Sequence, residues 1–176
     1  SSKMSSLITL VSADEQSFQV ERNILKHSAV IENLIEDLNL DDPNTDSSAR
    51  IIPIRNVYGA DLENVIEWMC RHKDDPVIEN YTEEQMMAPL DVNDFVFLAF
   101  LGPNANILNL LTAAYYLSVK GLIHVTCKFM ANDIMKNSPE KNRAEWGDQI
   151  GDMYEEKLEN CKSEMCQDFI DLFMDY

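Results

Sequence analysis

Positive charge is what this chain has least of. It carries 14 Lys and Arg against 31 Asp and Glu, a formal charge of −17 over 176 residues. Nucleic-acid affinity comes largely from basic side chains displacing phosphate counterions, and anionic membranes attract basic segments for the same reason. Neither nucleic acid nor an anionic membrane surface is therefore an expected partner. Glycine and proline are also sparse, with 5 and 6 copies, which excludes collagen-like and low-complexity chains. No run approaches the roughly 20 apolar residues of a membrane-spanning helix. The polar start, Ser1 to Ser6, lacks the apolar stretch of a secretory signal.

Cysteine and histidine are few and scattered. Cys70, Cys127, Cys161 and Cys166 form no C-x-x-C pair, and His27, His72 and His124 show no metal-ligand spacing. No metal or cofactor is expected, and the cysteines are expected to be reduced and structural. Phosphate-cradling glycine loops, the nucleophile elbow and the EF-hand loop are missing. The acid pairs Glu36-Asp37, Asp41-Asp42, Asp74-Asp75 and Glu155-Glu156 read as solvated surface in so acidic a chain. Nothing points to an enzyme.

What is present is a folded protein, 45% hydrophobic, in an α+β order. Leu7 to Val11 and Ser17 to Val20 favour strands around a turn at Ala13-Asp14-Glu15, a β-hairpin. Ser28 should cap a helix bearing Ile31, Leu34, Ile35 and Leu38. Asp41 to Ser48 reads as an acidic loop. Ile51 to Ile54 reads as a strand placed at an edge by Pro53. Asp61 is expected to cap a helix with Leu62, Val65, Ile66, Met69 and Cys70 on its apolar face. Residues 73–91 turn polar, as in a mobile acidic connection. Helices are expected over Phe95 to Leu101, about 104–117 and about 119–135. Ser138-Pro139-Glu140 is a compact helix start. Leu158, Cys161, Met165, Phe169, Leu172 and Phe173 make a last amphipathic stretch.

Three stretches resemble the S-phase kinase-associated (Skp) family, adaptor subunits of SCF ubiquitin ligases. They are Ile31 to Asp42 (IENLIEDLNLDD), Val65 to Pro76 (VIEWMCRHKDDP, with W-x-x-x-H-K-D-D-P) and Leu110 to Ile134 (LLTAAYYLSVKGLIHVTCKFMANDI). Ser138 to Arg143 (SPEKNR) is similar to the family's T-P-E-E-I-R. The match is good over residues 5 to 146. The elongin C family shares the fold but normally lacks the H-K-D-D-P stretch and the C-terminal helices.

The resemblance implies a BTB/POZ fold, a small mixed sheet covered by helices, over residues 5–135, and F-box-binding helices over 136–176. It implies a non-catalytic adaptor of the cytoplasm and nucleus that bridges a cullin scaffold to F-box substrate receptors. Ile107, Leu108 and Leu111 stand at the family's F-box-facing positions; Ile123, Cys127, Met130 and Ile134 continue that surface, and Trp146 replaces a phenylalanine of it. Tyr116 matches the tyrosine of A-A-N-Y-L on the cullin side, and Tyr115 replaces its asparagine. Asn142 stands for the isoleucine of E-E-I-R. The closing E-N-x-W keeps only Glu164, and residues 168–176 run past the usual end. A rival reading is a BTB-type scaffold that self-associates, through the BTB face, outside any cullin ligase.

Overall fold

The computed structural model describes residues 6–148. They divide into two compact units, one of residues 6–77 with 112–121 and one of 78–111 with 122–148.

The first unit is built on a three-stranded sheet of order β2-β1-β3. Strand β1 (Leu7–Val11) pairs antiparallel with β2 (Ser17–Glu21) and parallel with β3 (Ile51–Pro53). The hairpin and the edge placement of the Pro53 strand follow the sequence pattern. Alternation sends Ile8, Leu10, Val20 and Ile52 to the buried face. A 3-10 turn at Arg22–His27 follows, unanticipated in the residue pattern. Arg22 forks from it to Glu32 at 2.6 Å and Asp41 at 2.8 Å.

Helix α1 (Ala29–Asp37) begins where Ser28 accepts from the Ile31 amide at 3.1 Å, and the same hydroxyl donates to the Leu117 carbonyl at 2.6 Å. Helix α2 (Gly59–Arg71) begins two residues before Asp61, so the expected cap is corrected: Tyr58 holds that position and Asp61 lies in the first turn. Its start is fixed by the hairpin turn instead. Asp14 accepts from Ser12 at 2.6 Å and from the Gly59 amide at 2.7 Å. A Cβ at Gly59 would meet the amide end of the Gln16 side chain, which would have to move aside. The buried face of α2 holds Leu62, Val65, Trp68 and Met69, while Cys70 is exposed. The apolar stripe is thus rotated toward Trp68 from the expected one.

In the second unit the acidic stretch contains a short helix, α3 (Glu83–Met87), closed by a Thr82–Gln85 capping box. Helix α4 (Val92–Ala99) is capped by Asp91, which accepts from Asn93 at 2.8 Å. Helices α5 (Asn104–Tyr116) and α6 (Lys120–Lys136) follow, their residues 112–116 and 120–121 belonging to the first unit, then α7 (Pro139–Trp146). Ser138 caps α7, with proline in its first turn as the sequence predicts. Among the described residues no helix is long and apolar enough to cross a membrane.

Candidate functional site

The H-K-D-D-P signature closes helix α2. The Trp68 and His72 rings stack with centroids 4.1 Å apart, and His72 Nδ1–H donates to Asp75 at 2.7 Å. His27 Nε2–H donates to the His72 carbonyl at 2.7 Å, and Lys26 donates to the Lys73 carbonyl at 2.8 Å. Burial holds the His27 pKa below its ordinary value despite that bond. Gly121 allows the Trp68 ring its place, since a Cβ there would overlap the indole. These residues brace the fold.

Helix α5 carries the first candidates. Ile107 and Leu111 are buried, and Leu108 is half-buried. In its last turn Tyr115 is half-buried and Tyr116 is 49% exposed, with their ring centroids 6.3 Å apart. The helix is stopped by Ser118 in the left-handed region, with Val119 N–H closing onto the Ala114 carbonyl at 2.9 Å. On α6, Ile123, Cys127, Met130 and Ile134 are all buried. Trp146 of α7 is buried too. Its indole Nε1 donates to Asp133 at 2.9 Å, while the buried Asn142 donates from Nδ2 to the Ile134 carbonyl at 2.9 Å. Asn142 and Trp146 therefore fasten α7 to α6. Leu108 is the one residue of the apolar candidate set with appreciable surface. The remnant at Glu164–Gln167, the 168–176 stretch, Cys161 and Cys166 lie outside the described residues.

The acidic stretch is pinned to α6 through polar and aromatic contacts. Lys128 Nζ donates to the Gln85 and Ala88 carbonyls, both at 2.7 Å, at the negative end of α3. Tyr81 stacks on His124 at 3.8 Å. Burial is the main cause that brings the His124 pKa down to about 4, with Lys128 adding and Asp94 opposing. Its Nδ1 is buried without a hydrogen-bond partner.

Phe95 to Leu101 has the pattern of an apolar helix. The structure exposes Val92, Phe95, Val96 and Phe100 on it. Their i, i+3, i+4, i+8 spacing was readable in advance as a stripe, but not which way the stripe faced. Among the described residues no cluster of His, Cys, Asp and Glu could hold a metal ion.

Residues 6–74 match the family described as "Skp1 family, tetramerisation domain". A Skp1-related protein of Caenorhabditis elegans is 35% identical over 136 residues, which cover 77% of each chain. The chain belongs to the Skp1 family. Two fungal members, each named E3 ubiquitin ligase complex SCF subunit sconC, are similar at comparable levels. The Talaromyces stipitatus protein is 33% identical over 140 residues, 80% of this chain and 83% of its own. The Aspergillus terreus protein is 34% identical over 142 residues, 80% of this chain and 84% of its own. The α+β fold with the mixed sheet is that of a Skp1-type BTB/POZ domain with further helices. Skp1-family chains are non-catalytic adaptors, so the chemistry to explain is recognition.

Proposed function

We propose that this chain is an adaptor subunit of an SCF-type E3 ubiquitin ligase, bridging a cullin scaffold to F-box substrate receptors in the cytoplasm and nucleus. The observation that carries the reading is identity of about one third, over about four fifths of the chain, to proteins named as SCF subunits. Residues 5–135 act as the BTB/POZ body and 136–176 as receptor-binding helices.

The cullin contact falls on Tyr116 with Tyr115 beside it. A tyrosine half open to solvent offers a large, rigid anchor with a polar tip. The receptor contact starts at Leu108. Ile107, Leu111, Ile123, Cys127, Met130 and Ile134 are buried in the free chain, so an F-box helix reaches them by displacing packing that now covers them. Trp146, buried and bonded to Asp133 of α6, should report the displacement.

Purified cullin N-terminal domain and an F-box segment, each titrated into the full chain, test the proposal. Binding of neither removes it. A stable dimer in sedimentation that binds neither would favour the self-associating scaffold.

A further inference from the structure

The exposed side of α4 carries no charged side chain. Val92, Asn93, Phe95, Val96, Ala99 and, just past the helix, Phe100 face outward, with Val92 67% and Phe100 86% exposed. In a chain with 31 acids an uncharged, phenylalanine-bearing helix face is the composition of an interface core, where aromatics are enriched and charges depleted. The face does not end with the helix. Phe95 meets Phe129 of α6 at 5.7 Å. Two and three residues farther along α6, Ala131 and Asn132 line a cleft of about 100 Å³ with Lys128, Met86, Met87 and Leu90. Methionine-lined clefts adapt to apolar guests of varied shape. Neither Leu108 nor Tyr116 lines that cleft.

Charge decides the occupant. No Lys, Arg or His lies between Lys73 and Lys120, while Glu79, Glu83, Glu84 and Asp91 are all exposed in the stretch that leads into α4. Lys128, the one cation in the lining of the cleft, is already committed to the Gln85 and Ala88 carbonyls of the α3 segment. A second copy would bring the same acids and a like net charge of −17 to the contact. The C-terminal stretch of the same chain, acidic from Glu155 to Asp175, has the same fault. An anionic lipid surface is repelled as well. We infer that the α4 face and its methionine cleft dock an amphipathic helix of a partner protein, apolar on one side and Lys- or Arg-rich along its flanks, separately from the proposed cullin and receptor contacts.

The test uses the full chain and a fluorescein-labelled peptide of about 18 residues, leucine on one helical face and lysine on the other. Its acidic counterpart is a peptide copying residues 158–176. Anisotropy should show the lysine peptide binding, weakening about tenfold or more in Phe95→Gln/Phe100→Gln and weakening again as salt rises. Phe100→Gln alone, at so exposed a position, should lower affinity in the same direction with the fold intact. Equal binding to wild type and both variants would overturn the inference. So would tighter binding of the 158–176 peptide, which would make the face the chain's own. A wild-type dimer lost in the double variant would make the occupant a second copy and overturn it equally. The double variant should still bind the F-box segment, and Leu108→Asp should still bind the lysine peptide, so failure of one reading is distinguishable from failure of the other.

Discussion

The indole of Trp146 donates to Asp133, and the amide of Asn137 donates to the same carboxylate oxygen at 3.2 Å. One carboxylate of α6 thus gathers the end of its own helix and the end of α7. With Asn142 bonded to the Ile134 carbonyl, Asn142 and Trp146 hold α7 in place by hydrogen bonds. Asp133→Ala leaves the buried indole N–H unpaired. It should lower unfolding stability by about 1–3 kcal/mol, seen in urea denaturation, and shift the emission of Trp146 to the red. An unchanged midpoint would mean that packing alone seats the ring.

Leu108→Asp should abolish binding of an F-box segment, because a carboxylate would then have to be desolvated against an apolar helix. Its partial exposure should keep the loss of stability modest, under about 2 kcal/mol. Fluorescence titration checks the first statement and thermal melting the second. Undiminished affinity would place the receptor elsewhere.

His124 makes stability depend on pH. Its folded pKa, about 4, lies below the unfolded value of 6.5, so the fold favours the neutral ring. The contribution is complete above about pH 6.5 and is lost as pH falls toward 4. His124→Phe keeps a ring to stack on Tyr81 and removes a buried nitrogen with no partner. The variant should match or exceed wild type in melting temperature at pH 7, and its advantage should grow between pH 6.5 and 4.5. A constant difference over that range would show that the histidine does not titrate against folding.

Ser28→Ala removes the cap of α1 and the bond to Leu117 together. A cost of about 1–3 kcal/mol is expected, at the high end of capping losses because the orphaned Leu117 carbonyl is buried against α1. Denaturant unfolding of Ser28→Ala and Ser28→Thr checks this, the threonine retaining most of the stability.

The hairpin, the Ser28 and Ser138 caps and the order of helices were legible in the chain because each rests on local chemistry: alternation, a capping hydroxyl, proline in a first turn. The start of α2 was not. Asp61 has the right residue type, but Asp14, far away in sequence, supplies the acceptor for Gly59. The same limit applies to the site. Spacing identified Ile107, Leu111, Cys127 and Met130 as one apolar set, yet periodicity cannot tell a surface stripe from a buried one, and these are buried. Conversely, Phe95 and Phe100 belong to a stretch that reads simply as an apolar helix, and both are exposed. The H-K-D-D-P residues were visible as a signature of the family, while their bracing of Trp68 needed the fold.

The most direct test of the adaptor reading is a three-component assay with purified cullin N-terminal domain, an F-box segment and the full chain. The account predicts that the chain binds both at once. Tyr116→Lys should lose cullin affinity by about tenfold or more with its melting temperature and F-box binding unchanged, and Leu108→Asp should do the reverse. Mutually exclusive binding of the two partners, or a Tyr116→Lys protein that holds cullin as well as wild type does, would contradict it.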